Sequence, residues 1–281
     1  MTIRLVTDST CDLPAEVIQQ LEITVLPMYI NMGSESYRDQ VDLPRETFYA
    51  NLLDYSPTPK TAAPGPGLFA ETYRRLADKG ATEILSMHVA ATISAVMESA
   101  RAGAELAKQA KVTLFDSGQF SLGLGFAALK AAELAAAGRS VAQIVAALED
   151  QARRTYMIAV VDTFEFLRRS GRVSMTQSKI GELLHIKPLL TMHQGEAKAD
   201  KVRTRKRALE RIVEWATNLA PLEQIGFIYT DDPTAAEDLQ ARLQHLIPAG
   251  CQPFVMGVTS VVGAHVGLGG VGVIAISAQR G

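Results

Sequence analysis

Arg4-Leu5-Val6-Thr7-Asp8-Ser9-Thr10-Cys11-Asp12-Leu13-Pro14 is the stretch on which the reading of the fold turns. An apolar strand over residues 3–6 runs into short hydrogen-bonding side chains, and Pro14 then opens a helix. Proline suits the first helical position because its missing N–H would have no partner there, and Asp12 just before it can serve as a cap. In an open α/β sheet, ligands sit beyond the carboxyl ends of the strands. Asp8, Ser9 and Thr10 are therefore where a ligand, or the support for one, is expected. Taken alone, the cluster reads as a capped strand-to-helix turn.

Strand-like runs recur at residues 24–29, 83–88 and 111–115, separated by helical patterns over 14–21, 66–79 and 94–110. An alanine-rich helix over 121–137 stops at Gly138, the residue type that ends helices in the left-handed conformation. Ser140 caps a further helix reaching about residue 154. Alternating strands and helices predict a mostly parallel sheet with helices on both faces. Beyond residue 154 the pattern changes. It predicts a strand over 156–161, a short helix over 164–168, and a hairpin of 187–192 with 196–202 around Gln194-Gly195. A helix over 204–219, a strand over 224–229 and a helix over 234–246 follow, and strands near 252–256 and 272–276 flank His265. The expected fold class is α/β with two α/β domains, 1–155 and 156–281. The second is expected to hold a mixed sheet with helices mainly on one side.

The chain of 281 residues, 47% hydrophobic and 21% charged, has the composition of a globular protein with a sizeable core. Its formal net charge of −2 gives no global electrostatic footprint for nucleic acid or an anionic membrane. Cys11 and Cys251 lie far apart and form neither a disulfide framework nor a metal-ligand spacing. No segment reads as a secretory signal, so a cytoplasmic protein with reduced cysteines is expected. Residues 251–278 contain no Asp, Glu, Lys or Arg, a length that could span a bilayer. Pro253, His265 and the glycines at 257, 263, 267, 269, 270 and 272 read instead as strand, turn and strand in a protein core. No integral membrane segment is expected.

Several loops at strand ends carry small hydroxyl donors. Thr61 lies in the proline-stiffened Lys60-Thr61-Ala62-Ala63-Pro64-Gly65-Pro66-Gly67. Thr92 and Ser94 follow the strand ending at His88, and Asp116-Ser117-Gly118 follows the one ending at Phe115. Ser170-Gly171-Arg172 forms a tight turn, and His265 is the lone histidine of an uncharged region. Singly, each has a plain structural reading: a helix cap for Ser94 and Ser117, a surface arginine for Arg172, a satisfied core histidine for His265. There is no metal set and no obvious nucleophile–base pair, so no cofactor is expected.

Together these segments resemble the DegV family over essentially the whole chain. The resemblance is carried by residues 7–14, Thr61 with Pro64, Ser94 with Glu98-Ser99-Ala100, and Phe115-Asp116-Ser117 with Ser121 and Gly123. It continues in residues 162–167, Ser170-Gly171-Arg172, Ile186-Lys187-Pro188, Arg203-Thr204 and Gly263-Ala264-His265-Val266-Gly267. Its better understood members are fatty-acid-binding subunits of bacterial fatty-acid kinase. The resemblance implies a long-chain fatty acid in an apolar tunnel of the N-terminal domain. Its carboxyl would be held by Thr61 and Ser94, aided by His265 from the other domain. A separate ATP-dependent kinase would phosphorylate that carboxyl, and a downstream acyltransferase would take the product into phospholipid synthesis. Arg172 would lie near the ligand head, while Asp8, Ser9, Thr92 and Ser117 would support the site. The chain departs from the family pattern at Ala62-Ala63, where Ser-Gln is typical, at Ser94-Ala95-Val96, where Ser-Gly-Thr is common, and at Leu268, where proline is usual.

The chemistry of these residues agrees. A carboxylate at the end of an apolar tunnel is costly unless donors meet it, and hydroxyls donate without a competing charge. Burying a methylene is worth ~0.8 kcal/mol, so roughly fourteen bring on the order of 11 kcal/mol before ordering costs. Such a ligand leaves slowly, and modifying it while bound avoids release into water. The sequence also allows a serine-dependent acyl hydrolase with His265 as base and Asp8 or Asp116 as orienter, a binder of another lipid-like molecule, and nucleic-acid binding by the basic run from Lys198 to Arg211. The hydrolase lacks a Gly-x-Ser-x-Gly elbow. The basic run lacks stacking aromatics and reads as a solvated face.

Overall fold

The computed structural model describes residues 2–173 and 186–278, so residues 174–185 and 279–281 of the second half lie outside the described residues. The elements run β1 Ile3–Asp8, α1 Ala15–Gln20, β2 Thr24–Leu26, β3 Tyr29–Met32, β4 Glu35–Arg38, α2 Arg45–Ala50, β5 Lys60–Ala62, α3 Pro66–Asp78, β6 Glu83–His88, α4 Val96–Leu106, β7 Val112–Asp116, α5 Leu122–Ala136 and α6 Val141–Arg154. They continue β8 Thr155–Val160, α7 Glu165–Ser170, β9 Lys187–His193, β10 Glu196–Val202, α8 Arg205–Leu219, β11 Leu222–Tyr229, α9 Thr234–Arg242, β12 Val255–Gly257, α10 Ser260–Val266 and β13 Val271–Ser277.

The first sheet is parallel throughout, in the order β2-β1-β6-β7. Its central strand β6 is buried at every position, as a strand covered on both faces must be. Helices α3 and α4 pack against it and against each other, and α5 packs against β1 and β6. The expected single strand over 24–29 is two strands in two sheets. Pro27 has no N–H to continue the ladder, so β2 ends at Leu26. β3 then joins a small antiparallel sheet, β4-β3-β5, that the sequence reading missed. This sheet pairs Thr61 with Ile30 and so sets the position of Thr61.

The second sheet is mixed, in the order β10-β9-β8-β13-β11-β12. Successive residues of a strand point to opposite faces. Along β13, Val271, Val273 and Ala275 enter the core shared with α8 and α9, whereas Ile274 and Ile276 enter the large core shared with the first half. That double burial explains the uncharged run before residue 278. Among the described residues, no helix is long and apolar enough to cross a membrane.

Helix α5 joins the two halves. It touches β1 and β6 on one side and β8 and β13 on the other, so an amphipathic stripe would not suffice. Nine of its residues are buried, Phe126 and Leu124 among them. Gly125 permits the approach to the turn after β1: a Cβ there would stand 2.5 Å from the Cys11 carbonyl oxygen.

Asp12 does not cap α1, contrary to the sequence reading. Pro14 occupies the cap without a side-chain bond, and the Asp12 carboxylate is engaged by the other half of the chain. The region around His265 is likewise corrected. It is a helix, α10, not a turn between strands: Thr259 caps it by accepting from Val262 N, and Gly267, at φ +78, ends it. Gly263 lets Tyr49 lie against this helix, since a Cβ would meet the Tyr49 hydroxyl at 2.5 Å.

Candidate functional site

Where β5, α10 and the segments after β1 and β6 meet strands β8 to β10 of the second sheet lies a cavity of about 270 Å³. This far exceeds the ~30 Å³ share of one water in the liquid, so it is room for a ligand, not a gap for a single structural water. Thr61, Ser94, His265 and Arg172 all line it. Its wall is otherwise dominated by apolar side chains such as Met28, Ile93, Phe120, Met157, Leu190 and Val262. The resemblance placed a tunnel within the N-terminal half, but this cavity draws its lining from both sides of residue 155.

Thr61 comes from β5 and His265 from α10, 204 residues apart in sequence, and Thr61 Oγ1 lies 2.8 Å from His265 Nε2. Burial, with a smaller contribution from the nearby Arg172 charge, pushes the His265 imidazole down to about 4. The ring is therefore neutral at neutral pH and exchanges a hydrogen bond with Thr61 without carrying charge. Direct titration by ¹⁵N NMR of the unliganded protein should place the His265 midpoint near 4 instead of 6.5. The unfolded chain binds the proton more tightly than the folded one, so this group's stabilisation is full above pH 6.5 and is lost as pH falls through 4. A midpoint at or above 6.5 would contradict the burial.

Ser94 is not a helix cap. The cap position of α4 is Ala95, without a side-chain bond, which leaves Ser94 in the wall of the cavity. Ala62, Ala63 and Ala95, where the sequence departs from the family pattern, also line the cavity and make that part of the wall apolar.

The other nominated residues do not line the cavity. Asp8 is fully buried and accepts from Thr10 N, Thr10 Oγ1, Val89 N and His88 Nδ1. These bonds, His88 most strongly, hold its carboxyl below the usual carboxylate range against the opposing effect of burial. Ser9 donates to Asp39 Oδ2 at 2.7 Å and accepts from Met28 N at 3.1 Å. Asp8 and Ser9 thus brace Thr10 and Met28, which do line the cavity. Ser117 closes a local turn with Gln119. Thr92 donates to Gly195 O at 2.5 Å, fastening the tip of the β9–β10 hairpin to the first half. Thr10 of the opening cluster, where a ligand or its support was expected, lines the cavity, and so do Ser170 and Lys198, which were not assigned to the site. Thr10 stood in the opening motif, but nothing in the pattern of β10 marks Lys198 as facing a cavity across the sheet.

The hydrolase constellation is not assembled. Asp8 faces His88, and Asp116 receives Ala91 N and Gly118 N; neither bonds His265. A different triad-like chain is present. Ser86 Oγ lies 2.7 Å from His88 Nε2, and His88 Nδ1 lies 3.1 Å from Asp8 Oδ2. Ser86 and His88 are 0% exposed, and the Tyr73 hydroxyl stands 2.8 Å from Ser86 Oγ. A nucleophile without access to solvent or to the cavity is a structural hydrogen-bond relay. In the basic run, Lys198, Arg205, Arg207 and Arg211 each pair with an acid, which fits a solvated face. No group of three or more metal-binding side chains occurs among the described residues.

The comparisons agree with this architecture. A family model described as "Uncharacterised protein, DegV family" matches residues 2–278. A DegV domain-containing protein of Streptomyces coelicolor is 36% identical over 279 residues, covering 98% of each chain. A solved structure from Thermus thermophilus, described as fatty acid binding of a DegV family protein, is 32% identical. It superposes with a TM-score of 0.89 over 99% of this chain and 100% of its own. DegV of Bacillus subtilis, described as a fatty acid binding protein, is 31% identical with a TM-score of 0.87 over 98% and 99% of the two chains. With the family model spanning nearly every residue and the fold shared at a TM-score of 0.89, the chain belongs to the DegV family.

Proposed function

We propose that this protein holds a long-chain fatty acid in the cavity and presents the carboxyl group to a separate ATP-dependent kinase. The observation that carries the reading is one apolar cavity into which Thr61, Ser94 and His265 bring hydrogen-bonding groups from three separate segments. The fatty-acid binding described for the relatives of Thermus thermophilus and Bacillus subtilis supports it. Thr61 and Ser94 donate to the carboxylate. His265 gives up its bond to Thr61 and donates as well. Among the described residues Arg172 and Lys198 are the charged ones lining the cavity; Lys198 is largely exposed and paired with Glu196, so Arg172 is the cation that favours an anionic head. The residues up to 155 supply the hydroxyls, and those from 156 supply the histidine and Arg172.

The kinase step rests on the family resemblance, and the site chemistry is compatible with it. A ligand carboxylate oxygen attacks the terminal phosphorus of ATP, an acyl-phosphate forms and ADP leaves. The ATP site belongs to the partner. This chain contributes positioning and exclusion of water, and an acyltransferase consumes the product. Incubating the loaded protein with a bacterial fatty-acid kinase and ATP, then trapping with hydroxylamine, should yield the acyl hydroxamate. Ser94→Ala should lower that yield about tenfold, the scale of one lost hydrogen bond to a charged group. A loaded protein that yields no hydroxamate would remove the kinase step while leaving the binding reading in place.

A further inference from the structure

We propose that Asp12 is the positioning residue for His265: it ties helix α10 to the first half of the chain and so sets the Thr61–His265 contact. The proposal deepens the reading above, but its geometry does not depend on which ligand the cavity takes.

The Asp12 side chain is 0% exposed, and its residue has the left-handed φ of +48° that ends the turn after β1. A carboxylate placed there must be satisfied by protein groups. Asp12 Oδ1 accepts from Thr259 N at 2.9 Å, across 247 residues of chain. Oδ2 accepts from Ser121 Oγ at 2.5 Å, and Arg45 Nη2 stands 3.6 Å from Oδ1. One carboxylate thus joins the end of β1, the start of α5 and the entry to α10.

Thr259 is the cap of α10, so fixing its N–H fixes the first turn of that helix. A second tie lies beside it: Tyr49 donates to Val258 O at 3.1 Å. Both ties come from the first half. The far end of α10 is held differently. Gly269 N donates to Asp231 Oδ1 at 2.6 Å, and Arg205 Nη1 donates to Gly269 O at 2.6 Å, both within the second half. Apart from the Thr61–His265 contact itself, these hydrogen bonds between α10 and the half carrying Thr61 lie at its entry. His265 lies six residues beyond Thr259, roughly 9 Å along a helix that rises about 1.5 Å per residue. A helix of that length moves as a unit, so a shift of about 1 Å at its entry is enough to take a 2.8 Å contact out of hydrogen-bond range.

The test reads His265 directly. In ¹⁵N-histidine-labelled, delipidated full-length protein, Asp12→Ala should move the His265 ring nitrogens to the positions they take in Thr61→Val. It should also weaken binding of [1-¹³C]palmitate about tenfold, the scale expected when a hydrogen bond to a charged group is lost. Asp12→Asn keeps an acceptor for Thr259 N–H and should restore the His265 signals and most of the affinity. A folded Asp12→Ala protein with wild-type His265 signals would overturn the proposal, as would failure of Asp12→Asn to restore them. Should Asp12→Ala not fold, Asp12→Gly decides, since glycine suits the left-handed φ there: it should shift the His265 signals in the same direction, and unchanged signals would overturn the proposal. If wild-type protein binds no palmitate, the fatty-acid reading falls, while the His265 signals still judge the role of Asp12.

Discussion

His265→Ala is expected to lower affinity for palmitate by about 10- to 100-fold while leaving the protein folded. A hydrogen bond to a charged group is worth ~1.5–3 kcal/mol, and each 1.4 kcal/mol is a factor of ten. Thr61 would keep its hydroxyl, so part of the head-group recognition would survive. Thr61→Val should cost a similar amount because the two side chains meet at 2.8 Å and act together. For that reason the double variant should lose less than the sum of the singles. Fatty alcohols provide the control. They lack the carboxylate, so their affinity should fall much less in either variant. Equal losses for acid and alcohol would mean that the two residues shape the cavity and do not grip the head group.

The largest stability effect is expected at Phe126→Ala, at about 3–5 kcal/mol, the usual range for removing a buried phenylalanine. Phe126 is 1% exposed and sits in α5, the helix that packs against both sheets. Its ring reaches the second sheet: a Cβ built on Gly226 would lie 3.0 Å from Phe126 Cζ. Removing the ring therefore opens a void between the halves, beside the element on which both depend. Leu53→Ala, at a residue 73% exposed, should change stability by less than about 0.5 kcal/mol. Guanidinium titrations of the three proteins would show the contrast. A Phe126→Ala midpoint close to wild type would mean that α5 does not hold the halves together.

Strong local signals made β1, β6, β7 and helices α3 to α6 legible in the sequence, whereas β4, α2 and β5 went unread. Residues 83–88 are strand β6, and the Ser140 cap with Gln143 marks α6. The hairpin around Gln194-Gly195 was legible for the same reason, with positive φ at both turn residues. The errors share a cause. The break at Pro27 moves a strand into a different sheet, and α10 contains Val261, Val262 and Gly263, which are poor helix formers. Packing against Tyr49 and the anchor from Asp12 override that local preference. The Thr259 cap was the one local sign of this helix.

The candidate site divides in the same way. Thr61, Ser94, His265 and Arg172 could be named because a multi-segment resemblance tied them together. No spacing rule brings residues 61 and 265 to 2.8 Å. Thr10 and Lys198 reach the cavity through sheet register, and the roles of Asp12 and Thr92 depend on contacts between the halves. Such partners become visible only when the chain is folded.

Native mass spectrometry of the purified protein, before and after organic extraction, tests the central claim most directly. The account predicts one long-chain fatty acid per chain before extraction, a bare protein afterwards, and recovery of the adduct on adding palmitate. A protein that is bare from the start and takes up no added long-chain fatty acid would contradict it.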